Sequence, residues 1–141
     1  MTLKLLSVSL EDAQRVIAAG QAKAGEIGSP SNVAVVDAGG NLVSHIRMDH
    51  AWVGSVDISI NKAWTARAFD MATEKLGKMA QSGKPLFGID STNHEKVVIF
   101  GGGIPIKIGD TVVGGLGASG GTVDQDLQVA EAAVAEFDPK H

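Results

Sequence analysis

Two chemical patterns overlap in the stretch Val112 to Ala133, VVGGLGASGGTVDQDLQVAEAA. Gly115, Gly117 and Gly120 have the G-x-G-x-x-G spacing of a dinucleotide fingerprint, and Gly117, Ser119 and Gly121 have the G-x-S-x-G spacing of a hydrolase nucleophile elbow. A dinucleotide fold needs a further strand and a ribose-binding acid about twenty residues on. Residues 122–141, which follow the loop, read instead as one helix and a tail. An elbow needs Asp or Glu and then His downstream, and the His that follows is His141 at the end of the chain. Neither pattern carries its usual meaning. What survives is a strand ending in Gly117, Ala118, Ser119, Gly120 and Gly121 and delivering a helix N-terminus, where free N–H groups and the helix dipole favour an anion. Two readings fit these five small residues: a seat for a carboxylate or phosphate, or a tight strand-to-helix turn with close backbone packing.

A second group lies upstream. In an alternating strand Val43, His45, Arg47 and Asp49 share one face and Leu42, Ser44, Ile46 and Met48 the other. Arg47 is a bidentate partner for a carboxylate, and Lys62 on the next helix offers a second positive charge. With the Gly117 to Gly121 loop they would make a pocket for a small anionic molecule. The structural alternative is an ion pair of Asp49 with Arg47 or with Lys62. If the protein is an enzyme, Lys62 or Asp49 would transfer the proton while the Ser119 N–H or the helix N-terminus steadies an oxyanion. The spacing of His45, His50 and Asp49 matches no metal site, so none is expected.

Composition narrows the partners. The 141 residues carry a net charge of −4, with 44% hydrophobic and 20% charged residues, as expected of one globular domain spanning 1–141. No basic cluster follows a phosphate backbone, and 4% aromatic residues without Tyr leave few platforms on which bases could stack, so nucleic acid is not expected. The absence of Cys excludes disulfides, thiolate metal sites and a Cys nucleophile. The apolar run Leu5 to Leu10 breaks at Glu11 and Asp12, which fits neither a signal peptide nor a membrane span; a cytoplasmic protein is expected.

These groups must be positioned by elements that the periodicity predicts. Ser9 and Asp12 open a helix over 10–26 that Gly28 and Pro30 stop. Strands at 32–37 and 42–48 flank the hairpin residues 38–41. Helices follow at 55–70 and 73–81, then an irregular loop, SGKPLFGIDSTNHE. Three strands at 96–100, 104–108 and 111–117 form a meander, and Thr122 with Gln125 caps a final helix. The order α-β-β-α-α-β-β-β-α predicts an α+β fold, one five-stranded antiparallel sheet with helices packed on it.

The segments VAVVDAGGNLVSHIRMDHAWVGSVDISINKAWTARAF, GKPLFGI and GGGIPIKIGDTVVGGLGASGGTVDQDLQVAEAAV resemble the GlcG/HbpS-like haem-binding protein family over nearly the whole chain. The matching parts are Asp37 to Leu42, Arg47 to Asp49, Asn61 to Ala63, Gly102 to Ile106, Gly117 to Gly120 and Gln125 to Asp126. The resemblance implies a profilin-like α/β/α arrangement, homo-oligomers and haem as cofactor; the same domain is found at the C-terminus of PduO-type cobalamin adenosyltransferases. Haem iron in a chain without Cys or Tyr looks first to His, which makes His50 and His94 the axial candidates, and a propionate would use the Arg47 pocket. Three functions remain open: a small-ligand or haem-binding protein, a cofactor-independent enzyme of small-carboxylate or aromatic-acid catabolism (tautomerase, hydratase or deaminase type), and an interaction subunit.

Overall fold

The computed structural model describes residues 1–140; His141 lies outside the described residues. Helix α1 spans Leu10–Glu26 and opens on a complete capping box, in which the Ser9 hydroxyl accepts from the Asp12 amide and the Asp12 carboxylate accepts from the Ser9 amide. Its residues Ala13, Val16, Ile17, Gly20 and Ala24 are buried, a helical stripe facing the sheet. Strands β1 (Asn32–Asp37) and β2 (Leu42–Arg47) follow, then helices α2 (Gly54–Phe69) and α3 (Thr73–Met79), strands β3 (Gly103–Ile108) and β4 (Thr111–Ser119), and helix α4 (Val123–Ala135). The strands are antiparallel in the order β2-β1-β4-β3.

The sheet has four strands, which corrects the expectation of five. The β-rich residues 96–100 run instead against the helices. Thr65 of α2 takes up their backbone: its hydroxyl donates to the Lys96 carbonyl and accepts from the Val98 amide. The Ile99 carbonyl lies so close to Gly77 of α3 that a Cβ there would overlap it. These contacts hold the segment against α2 and α3 and not along the β3 edge.

Helices cover both faces. Val33 and Val35 of β1 and Leu116 and Ala118 of β4 pack with α1 and α4 into the main core, while Ala34 and Val36 face Ala63 and Ile60 of α2. The central strands are therefore apolar on both sides, as double coverage requires. Alternation in β2 is broken by a bulge opposite Val35 and Val36. Val43 consequently joins Ile46 and Met48 on the main core, and the expectation that it shares a face with His45 and Arg47 is corrected. His45 and Arg47 stand opposite Ala34 and Asn32, on the face toward α2.

The glycines of the opening motif have a packing role. A Cβ on Gly117 would overlap the Ser59 carbonyl and one on Gly115 the Ala63 carbonyl; a Cβ on Gly103 would lie 2.5 Å from the Lys62 carbonyl. The backbone of α2 thus rests directly on β3 and β4, an approach open only to glycine.

Candidate functional site

Close packing of α2 on β4 brings Lys62 to the end of the sheet. Its side chain is fully buried, and the Nζ ammonium donates to the Asp126 carboxylate at 3.0 Å and to the Ala118 carbonyl at 2.9 Å. The Phe100 ring lies over the same nitrogen, 5.0 Å away at its centroid. Burial pulls the Lys62 pKa below its ordinary value, and the Asp126 charge and hydrogen bond oppose that pull.

Asp126 comes from the first turn of α4 and also answers the question of the glycine loop. Its other oxygen accepts from the Gly120 and Gly121 amides, each at 3.0 Å. The capping box of α4 ties the next donors: the Thr122 amide to the Gln125 side chain and the Gln125 amide to the Thr122 hydroxyl. The loop does hold an anion, and that anion is a carboxylate of the chain itself. Gly117 and Ala118 belong to β4, and Ser119, buried at its end, hydrogen-bonds Ser55 at 3.1 Å. Neither predicted ion pair of Asp49 forms, because Lys62 is bound to Asp126 and Arg47 points into solvent.

Arg47, Asp49 and His50 gather at a different place. The chain turns sharply after β2, with the Ala51 amide donating to the Met48 carbonyl and His50 in the left-handed region at φ 70°. All three side chains are exposed. Arg47, Asp49 and His50 line a surface cavity of about 410 Å³. His50 also borders a neighbouring cleft of about 450 Å³ formed with Trp52, Gly120, Gly121, Thr122 and Gln125. Arg47 and Asp49 on one side and the glycine loop on the other thus line separate spaces that share His50, and Lys62 borders neither. His94 lies in the short turn Asn93–Glu95, exposed and left-handed at φ 56°, and lines neither space.

Sequence reasoning missed the roles of four residues, Asp126, Asn32, Trp52 and His45. Asp126 carried a signal, an acid in the first turn of a helix fed by a run of small residues. Asn32 is buried in β1 and holds the Trp52 carbonyl with its Nδ2 at 3.1 Å, fixing the residue that walls the cleft. Trp52 itself is 63% exposed. His45 stands nearby with Nε2 buried and without a partner; burial, and secondarily the charge of Arg47, lowers its pKa. Among the described residues, no helix is long and apolar enough to cross a membrane.

Known proteins resemble this chain over most of its length. The family model for the haem degrading protein HbpS-like family matches residues 8–135. An uncharacterized 15.0 kDa protein in the dhaT-dhaS intergenic region of Citrobacter freundii is 43% identical, over 95% of this chain and 94% of that protein. Among solved structures, Klebsiella pneumoniae protein ORFY superposes with a TM-score of 0.94 at 40% identity, covering 96% of this chain and 94% of that one. A PduOC:heme complex superposes with a TM-score of 0.89 at 37% identity, covering 93% and 95%.

Proposed function

This chain belongs to the HbpS-like family, and we propose that it binds haem in the cleft that His50 and Trp52 form with Gly120, Gly121 and Thr122. The observation that carries this reading is the position of His50, an exposed imidazole bordering both that cleft and the cavity of Arg47. The residues present suit the group. An imidazole nitrogen is the ordinary protein ligand of haem iron, the Trp52 ring offers an apolar plane beside it, and the exposed Arg47 guanidinium suits a propionate. The Gly120 and Gly121 amides, engaged by Asp126, serve as wall and not as propionate donors. When bound, haem supplies a redox-active iron; the chain supplies its ligand, plane and cation.

The tautomerase, hydratase or deaminase reading is not favoured by the position of its central residue. Lys62 is enclosed by Asp126, Ala118 and Phe100 and lines neither cavity.

Titration of the purified protein with haemin, followed in the Soret band, tests the proposal. The expected result is a saturable shift ending at one haem per chain. A featureless, non-saturating titration would overturn it.

A further inference from the structure

The β1–β2 hairpin and helix α2 enclose a further cleft, at the opposite end of β1 from the turn that carries His50. It measures about 260 Å³ and is lined by Ala38, Gly39, Gly40, Trp64, Arg67 and Ala68. One wall is hairpin backbone. Gly40 turns there at φ 80°, and a Cβ on it would lie 3.0 Å from Trp64 Cδ1 and 3.1 Å from Nε1. A residue without a side chain is what leaves room in front of the indole N–H edge.

The other wall belongs to α2, where Trp64 and Arg67, three residues apart, stand on one side of the helix. Arg67 is held at two of its three nitrogens: Nε donates to the Ala38 carbonyl at 2.6 Å and Nη1 to the Asp70 carboxylate at 2.5 Å. Tied to the hairpin and to the end of α2, the guanidinium has little freedom, and the place of Nη2 is fixed with it. Neither Nη2 nor the Trp64 Nε1 has an acceptor among the described residues. The Lys96 ammonium lies over the Trp64 ring, 4.2 Å from its centroid. A cation in that position draws electron density from the indole and makes its N–H a stronger donor. Two donors with fixed positions, one of them cationic, therefore line one small cleft without being used by the fold.

We propose that this cleft binds a small monocarboxylate, with one oxygen on Trp64 Nε1, the other on Arg67 Nη2, and a short carbon chain against Ala38 and Ala68. Size and charge select the class. The volume falls below the roughly 300 to 1,000 Å³ of sites for drug-sized molecules, so only a few carbons fit. The charges near the cleft are Arg67 and Lys96 against Asp70 and Asp37, and Asp37 is taken up by the Gly39 and Asn41 amides and the Asn41 side chain. A dianion such as phosphate would meet both carboxylates and the negative end of α2 with only two donors to hold it. A carboxylate brings one charge and two acceptor oxygens, one for each donor. The site shares no residue with the haem cleft, and its test is independent of haem.

Nitrogen–proton correlation spectra of the whole chain test the proposal. With two Trp in the sequence, Trp52 and Trp64, two indole N–H signals are expected, and Trp64→Phe identifies which one is Trp64. Propionate is expected to move the Trp64 signal downfield to saturation, while propionamide, and chloride at the same ionic strength, leave it in place. Followed at the Gly39 and Gly40 amides, propionate binding should weaken about tenfold in Trp64→Phe, the loss of one hydrogen bond. Ala68→Glu places a fixed carboxylate at an exposed lining position, and should abolish the propionate shift with an unchanged thermal melt. A propionate titration that does not saturate would overturn the proposal. Equal shifts with chloride, which would mean an adventitious ion only, or with propionamide would overturn it too, and undiminished binding in Ala68→Glu would place the ligand elsewhere.

Discussion

The Nζ of Lys62 sits 3.0 Å from a carboxylate oxygen of Asp126, and the other oxygen of that carboxylate receives two backbone amides of the glycine loop. One acid in the first turn of α4 thereby balances a cation on α2 and closes the end of β4. Burying such a pair is expensive, and removing one member is worse than replacing both with apolar side chains.

The two members should not be equivalent. Asp126→Ala leaves a buried ammonium and two unpaired amides, and is expected to destabilise by about 3 to 5 kcal/mol in urea unfolding. Lys62→Met keeps the two amide bonds of Asp126 and fills the space with an apolar chain, so its cost should be smaller. Equal costs, or a harmless Asp126→Ala, would show that the pair does not hold the loop.

Gly117→Ala should be among the most damaging single methyl additions, because its Cβ meets the Ser59 carbonyl and the Ala63 amide and α2 must leave the sheet. A loss above roughly 3 kcal/mol is expected, beyond the ordinary overpacking range of about 1 to 3 kcal/mol. Gly25→Ala in α1 meets open space and should stabilise by about 0.4 to 1 kcal/mol. Thermal melts of the two variants should move in opposite directions.

The sequence made the supports of the fold legible. The capping residues Ser9 and Asp12, and Thr122 and Gln125, locate both long flanking helices, and the bounds of α1 and β1 agree with the spacing of their apolar residues. Residues 96–100 misled because β-branched composition records a preference for extended backbone and says nothing of what that backbone pairs with; here Thr65 of α2 binds the Lys96 carbonyl and the Val98 amide. Arg47, Asp49 and His50 were legible as neighbours because they are neighbours in the chain. The Lys62–Asp126 pair was not, since 64 positions separate its members and only the packing of α2 on β4 joins them.

His45 makes stability depend on pH in a definite direction. Its folded pKa lies below the ordinary 6.5 through burial and the Arg47 charge, so below that pH the unfolded chain binds a proton that the folded chain refuses. Unfolding free energy should therefore fall as pH drops from 6.5 toward the folded pKa, and above 6.5 the group contributes no slope. His45→Gln should flatten this limb relative to wild type in chemical denaturation at pH 7 and pH 5.5. An identical slope in both proteins would remove His45 as its source.

In the proposed haem site Arg47 meets a propionate, not the iron. Arg47→Ala should weaken haemin binding by about 5- to 100-fold, consistent with loss of one charge-assisted contact, while leaving the shape of the bound absorption spectrum unchanged. The same substitution should have little effect on binding of the haem dimethyl ester, which lacks the carboxylates. A loss of equal size for both ligands would place Arg47 outside propionate recognition.

The measurement that tests the central claim most directly is the absorption spectrum of the haemin-loaded protein compared between wild type, His50→Ala and His94→Ala. The predicted result is a Soret and visible-band pattern of histidine-ligated haem in wild type and His94→Ala that is lost in His50→Ala. The same pattern retained in His50→Ala would contradict the assignment of the cleft, whatever the affinity.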